Sequence, residues 1–340
     1  TKKPATRSMF QSSKFKEIKI PNQNHINSVP LPFVLSPNTP TCDQHQPCLT
    51  NFIDSIKAEK SHLEAILGKS GAILFRGFPV RTASDFNDVV LAFGYDEFPY
   101  VGGAAIRTQV VGRVYTANES PLHRNIGFHN EMAKYPEFPS KLLFFCEVAP
   151  VNGGETPLVS SNVAYERVKE KHPEFVQQME EHGLIYSVVV GPEDDPSNPI
   201  GRGWKSQFST DDKKIAEERA TKIGLKLEWV ENGVKANRGP CPGIRYDESR
   251  HMKVWFNSIG VIYSILEEAD AGEERGVSIT FGNGEPLPPE IVADCMDILD
   301  EECAVVPWEE GDVLVVDNLA VLHARRPCGS PRRVLASLCK

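Results

Sequence analysis

Residues 311–327, GDVLVVDNLAVLHARRP, hold two strand-length apolar runs separated by a tight Asp-Asn turn and opened by a Gly-Asp turn. Strands this short, joined by turns this short, pair as antiparallel neighbours. AVVPW (304–308) upstream and the RVLASL run that begins at Arg333 read as further strands. A late half this rich in strands suits a barrel that closes its own edges, a jelly roll or cupin-like fold. The expected class is mainly β (α+β): a double-stranded β-helix (jelly-roll) core with flanking helices and a loop-rich insertion.

The remaining punctuation fills in the frame. Residues 1–50 read as an extended or irregular N-terminal segment, and residues 51–340 as a single jelly-roll domain. Phe52, Ile53, Ile56, Leu63, Ile66 and Leu67 recur at helical spacing before Gly68 and Gly71. AILFRGFPV (72–80) reads as a buried strand, and 82–94 as a helix capped by Thr82 or Ser84. A strand over 141–149, a broken amphipathic helix over 161–183 and a strand over 184–190 follow. Residues 191–250, with GPEDDPSNPIGRGW and NRGPCPG, read as the inserted loops that set specificity. KVWFNS (253–258) alternates like a strand, and 288–303 is a helix opened by proline.

Bulk properties exclude several roles. A net charge of -9 argues against nucleic-acid binding, which needs a positive surface. No apolar run is long enough to span a bilayer. The eight cysteines form no dense framework and read as reduced thiols of an intracellular chain. Cys42, His45 and Cys48 lack a second ligand pair at zinc-finger spacing, so no zinc site is expected there. The first residues are basic and hydroxylated, which reads as a disordered tail in a cytoplasmic protein; a transit peptide ahead of Thr1 would send it to an organelle instead. Oligomeric state has no signal in the sequence.

The chemistry begins at NIGFHNEMAKYPEFPSK (125–141). In a strand, His129 and Glu131 point to the same face. His323 stands in an apolar strand after a turn and completes two imidazoles and one carboxylate. That set is the facial triad of non-haem Fe(II) oxygenases, which leaves the opposite face of the metal open for a chelating co-substrate and O2. Two other residues suit a 2-oxoacid. Arg333, ten residues after His323, is a clamp for a distal carboxylate, and Thr156 in NGGETPLVSS adds a hydroxyl.

The ordered set FHNE, GGET, WFNS, GDVLVVDN with its following His, and PRR-x-L resembles the taurine dioxygenase and clavaminate synthase-like superfamily, especially its plant clavaminate synthase-like proteins. The resemblance runs from GAILFRGFPV to the C-terminus. It implies an Fe(II)- and 2-oxoglutarate-dependent dioxygenase with His129, Glu131 and His323 as iron ligands. Thr156 and Arg333 would bind 2-oxoglutarate, with Arg332 as the alternative. Sulfonate-oxidising members carry a second arginine four residues beyond the first. Here that position is Ser337, so alkyl sulfonates are not expected unless Arg124, Arg202 or Lys205 supplies the charge.

The expected reaction is hydroxylation of a small-molecule metabolite, with desaturation or cyclisation as variants, releasing succinate and CO2. The rival is a non-oxygenase cupin-like barrel, an isomerase or a sensor, which would need the triad but neither Thr156 nor Arg333. A metal-dependent hydrolase would want a general base, and Glu131 is already a ligand. Asn125, Asn257 and Ser337 are the expected substrate contacts. Trp255 and Phe256 are expected in the core, His123 and His251 on the surface. Residues 324–326 are read as a solvated basic patch, with Arg325 the one that could turn to the pocket mouth.

Overall fold

The computed structural model describes residues 12–38, 48–100, 105–117, 119–197, 201–268, 276–329 and 331–340. The cluster of Cys42 and His45 lies outside them, and Cys48 is an exposed free thiol.

Strands β1 (Phe15–Glu17), β2 (Asn24–Ile26), β3 (Val29–Leu31) and β4 (Phe33–Pro37) open the chain. β1 and β4 are hydrogen-bonded into the main sheet, so a segment expected to stay irregular supplies part of its edge. Phe33, Val34 and Leu35 are all buried, and that burial outweighs the surrounding Pro and Asn. The single helix expected over 52–67 is two, α1 (Leu49–Ala58) and α2 (Lys60–Ser70), broken at Glu59. Gly71 ends α2 at φ +80, a left-handed cap that a side chain would strain. β5 (Ala72–Phe75) follows, buried throughout. Thr82 then caps α3 (Ala83–Phe93): it accepts from the Asp85 N–H while the Asp85 carboxylate accepts from the Thr82 N–H.

The middle of the chain gives β6 (Gln109–Val111), β7 (Val114–Thr116), β8 (Ile126–His129), β9 (Lys141–Val148) and β10 (Leu158–Ser160). The broken helix is α4 (Ser161–Lys171) and α5 (Pro173–His182), with Pro173 opening the second piece. β11 (Leu184–Val190) comes next. Residues 191–250 are less loop-like than their Pro and Gly content suggested. They contain α6 (Trp204–Phe208), α7 (Lys213–Lys222), β12 (Leu225–Val230), β13 (Gly233–Cys241) and β14 (Ile244–Asp247). β12 and β13 alternate more and less buried positions; β13 pairs with β11 and β12 with β13, because that alternation buries one face against α6 and α7.

The last third gives β15 (Met252–Trp255), α8 (Ile259–Glu267), β16 (Val277–Phe281), α9 (Pro289–Glu301), β17 (Val313–Asp317), β18 (Val321–Arg325) and β19 (Arg333–Cys339). AVVPW is not a strand; Ala304 alone bridges to Leu158, and Pro307 has no N–H for a ladder.

Eight strands form the main sheet in the order β1-β4-β5-β17-β9-β19-β7-β6, and β10-β18-β8 form a smaller sheet. Alternation along β9 sorts the side chains. Leu143 and Phe145 pack with α1, α2 and α3, while Leu142, Phe144 and Cys146 face the smaller sheet. The outer face of the smaller sheet, with Val159 and Leu322, is covered by α4, α5, α8 and α9. The jelly-roll interior therefore lies between two sheets that are each sealed on the outside, and the ligand-type residues of β8 and β18 open into it.

Candidate active site

β8 and β18 are antiparallel neighbours, and their register sets His323 directly opposite His129. That pairing brings together side chains far apart in the chain. The two rings lie with centroids 4.3 Å apart. Glu131 follows His129 by two residues, past the end of β8, at a turn where Met132 adopts φ +56. One ligand atom from each of His129, Glu131 and His323 falls within 4.8 Å of the others. His323 Nε2 is 4.0 Å from Glu131 Oε2.

Surrounding groups hold the Glu131 backbone and the His129 ring in place. Asn318 clamps the Glu131 backbone from both sides: its Oδ1 accepts from the Glu131 N–H at 2.7 Å and its Nδ2 donates to the Glu131 carbonyl at 3.0 Å. Asn130 Nδ2 donates to the Asn318 carbonyl at 2.7 Å, which closes the brace. The His129 Nδ1–H donates to the Gly127 carbonyl at 2.9 Å, so Nε2 keeps its lone pair for the cavity. Gly127 itself is required by packing, because a Cβ there would lie 2.0 Å from the Gly260 carbonyl oxygen at the start of α8.

Burial lowers His129 below the ordinary imidazole value. Burial, reinforced by His129 and Arg107, pushes His323 further down. Both rings are therefore neutral at physiological pH, the form that binds a metal. Two neutral nitrogens and a carboxylate suit a divalent first-row ion such as Fe(II). His323 Nδ1 is buried without a hydrogen-bond partner.

The triad stands at one end of a cavity of about 50 Å³ lined by Phe144, Thr156, Arg325, Arg332 and Val334 among others. A single water needs roughly 10–15 Å³, so the space holds several ligand atoms. Its far wall is cationic. Arg332 is half-buried and donates Nε–H to the Gly154 carbonyl at 2.8 Å; burial lowers its pKa. Arg325 is buried rather than part of a solvated patch. It donates to the carbonyls of Ser120, Pro121 and Arg124, and burial brings it to about 10. Thr156 Oγ1 accepts from Trp308 Nε1 at 3.1 Å, which leaves its own O–H to donate inward.

Arg333 is elsewhere. Its side chain is half exposed and pairs with Glu147 at 2.7 Å. β19 alternates Val334 and Ala336 toward the interior with Leu335 and Cys339 toward the helices, so Arg333 faces out and Arg332 faces in. The alternative arginine is the one at the cavity. By the same alternation Ser337 leaves the substrate list: it is fully buried on the helix side of β19, next to Cys339. Four residues beyond Arg332 stands Ala336, so this face also lacks a second arginine.

The other expected substrate contacts also lie away from the cavity. Asn257 is buried, donates Nδ2–H to the Gly243 carbonyl and accepts from the Ile259 N–H, which supports the start of α8. Asn125 does not line the cavity; its backbone N–H donates to Glu268. Trp255 and Phe256 are core residues, and His123 and His251 are exposed, as expected.

Sequence reading missed Arg107. Its side chain is 6 % exposed and its Nη2 donates to Glu131 Oε2 at 2.9 Å. The guanidinium lies over the Tyr100 ring, 4.9 Å from its centroid. Burial alone would lower it, yet Glu131 and Tyr100 outweigh burial and leave it raised. It stands before the short β6 in a segment with no periodicity, so no local pattern marks it.

The family described as taurine catabolism dioxygenase TauD, TfdA matches residues 48–339. A clavaminate synthase-like protein of Arabidopsis thaliana is 59% identical over 325 residues, covering 95% of this chain and 98% of the relative. A dapdiamide synthesis protein, DdaC, of Enterobacter agglomerans is 27% identical over 285 residues, 81% of this chain and 84% of that one. Among solved structures, PvcB of Pseudomonas aeruginosa superposes with a TM-score of 0.52 at 13% identity, covering 98% of this chain and 94% of its own. At that identity the superposition speaks to the fold, and it is the same jelly roll.

Proposed function

This chain belongs to the TauD/TfdA dioxygenase family, and from that premise we propose that it oxidises a small-molecule metabolite, by hydroxylation as the default outcome. It is an oxidoreductase, a 2-oxoglutarate-dependent non-haem iron dioxygenase. The overall change couples substrate, 2-oxoglutarate and O2 to oxidised substrate, succinate and CO2. The observation that carries the reading is the convergence of two neutral imidazoles and one carboxylate within 4.8 Å, beside a cavity with a cationic wall.

His129, Glu131 and His323 would hold Fe(II), and with 2-oxoglutarate bound the metal supplies activation of O2. The protein's own part is positional. Asn318 and Asn130 keep Glu131 turned inward, and Gly127 keeps His129 in the tautomer that presents Nε2. Arg332 and Thr156 would receive the distal carboxylate of 2-oxoglutarate, the guanidinium as a charged donor and the hydroxyl as a second hydrogen bond. Arg107 donates to Glu131 Oε2, the same oxygen that faces His323, and so fixes how the carboxylate is turned toward the triad. Phe144, Val334 and Ile126 line the space with apolar surface that excludes water around the reacting groups.

The test is substrate-dependent succinate release from 2-oxoglutarate by the Fe(II)-loaded protein, across a panel of amino-acid and small-carboxylate metabolites. Stimulation by at least one compound, with a matching product heavier by one oxygen atom, is the expected result. Turnover that survives in Glu131→Ala would contradict the assignment of the carboxylate as a ligand.

A further inference from the structure

A second cavity, of about 20 Å³, lies in the insertion between β11, β13 and the turn that follows Glu131. Lys134, Arg202, Arg238 and Tyr135 line it. Its lining is cationic: no Asp or Glu faces it among the described residues. Arg238 is 3% exposed, and its Nε and Nη2 are both buried without a hydrogen-bond partner. Those two nitrogens form one edge of the guanidinium fork, the edge that takes a carboxylate side-on. The same chain shows the edge in use. Arg76 clasps Asp312 through Nε at 3.0 Å and Nη2 at 2.6 Å.

The Arg238 plane is held in place by the Tyr135 ring, 4.0 Å from its centroid. Lys134 sits beside it. Burial, then the neighbouring Arg238, brings that ammonium down to about 8, with no carboxylate offsetting the loss. Leaving a buried charge unpaired is expensive, so a fold that keeps Arg238 this way has reason to.

We propose that this cavity is a carboxylate-binding site, separate from the iron and 2-oxoglutarate cavity, in which the Nε and Nη2 edge of Arg238 grips one carboxylate with Lys134 and Arg202 alongside. The volume exceeds the roughly 10–15 Å³ that one water needs and admits a carboxylate head rather than a whole metabolite. Val190, Leu225 and Ile262 on its wall give an apolar body somewhere to lie. Lys134 is on the same turn as Glu131, three residues on, so a filled site braces the segment that carries a metal ligand.

The experiment is thermal unfolding of the metal-free full chain at constant ionic strength, with acetate or hexanoate replacing chloride. The wild type should gain Tm saturably with either acid. Arg238→Met, which keeps side-chain bulk, should lose the response while melting no lower than wild type in chloride. Arg332→Gln should keep the response, since its cationic wall belongs to the other cavity. Arg238→Lys, which keeps the charge but not the fork, should need at least tenfold more acid. Hexanoate binding tenfold more tightly than acetate assigns the site to the end of an apolar acid, whereas equal affinities assign it to a free small anion; both support a carboxylate site. No Tm gain in the wild type, or an undiminished gain in Arg238→Met and Arg238→Lys, overturns it. None of these readings requires turnover, so failure of the oxygenase assignment is a distinct result.

Discussion

The adjacent pair Arg332 and Arg333 shows how much one peptide unit decides. The two are equivalent in composition, yet one lines the cavity and the other meets Glu147 at the surface. The sequence does not separate them because β19 is buried on both faces, so Val334, Leu335, Ala336 and Leu338, interrupted only by the buried Ser337, read as an apolar run without an inner side. Only the pairing of β19 with β9 says which alternate set faces inward. The resulting prediction is specific. Arg332→Gln should weaken 2-oxoglutarate binding by about 10- to 100-fold, the loss of a charged hydrogen-bonded pair at about 1.5–3 kcal/mol. Arg333→Gln removes an exposed ion pair worth about 0–1 kcal/mol and should leave binding within about fivefold. An anaerobic 2-oxoglutarate titration of the two Fe(II)-loaded variants checks this, and equal losses would contradict the inward assignment. The three candidate iron ligands, by contrast, stood out because His-x-Glu and a lone strand histidine are unusual side chains in apolar surroundings, and the fold brings them together. Arg107 was not, since its role depends wholly on which carboxylate the fold brings to it.

At the scale of elements, the constraints concentrate where β8 meets its neighbours. Gly127→Ala would drive a methyl group into the Gly260 carbonyl, so α8 or β8 must shift. The expected result is a stability loss of about 1–3 kcal/mol or more with lowered metal affinity, measured by urea unfolding and metal titration. A second prediction concerns Asp247, which is buried at the β14–β15 hairpin and accepts from Ser249 Oγ and from Arg250 Nη1 at 2.7 Å. Burial alone would raise its carboxyl, but these donors outweigh it and leave it below the ordinary value. Its folded pKa is thus lower than its unfolded value of about 3.9, so its stabilisation is complete above that pH and is lost as pH falls through the folded value. Asp247→Asn should cost about 1 kcal/mol or more at pH 7 and progressively less below pH 4. A pH-independent difference in urea midpoints would count against this account. Element boundaries followed the same logic. Thr82 as a cap and the break before Pro173 are local signals and could be read, whereas β13 became a strand by pairing with β11, and β12 by pairing in turn with β13.

For the whole molecule, the fold is a device that holds β8 and β18 together and seals both outer faces with helices. The jelly roll was legible from short strands and tight turns in the last third, but the participation of β1 and β4 in the main sheet was not, because it rests on pairing with a distant β5. The interior gains from occupancy: a ligand present at a hundred times its dissociation constant stabilises the folded state by about 2.7 kcal/mol. Mn(II), a redox-inert stand-in for Fe(II), should therefore raise the Tm of the wild type and not that of His323→Ala. The central claim, one ferrous ion held by His129, Glu131 and His323 with 2-oxoglutarate beside it, is tested most directly by anaerobic titration with Fe(II) in the presence of 2-oxoglutarate, followed through the weak visible charge-transfer band of the chelate. The account predicts a band that saturates at one equivalent of iron in the wild type and is absent in His323→Ala. A wild-type protein that gives no band, or a His323→Ala variant that gives the full one, would contradict it.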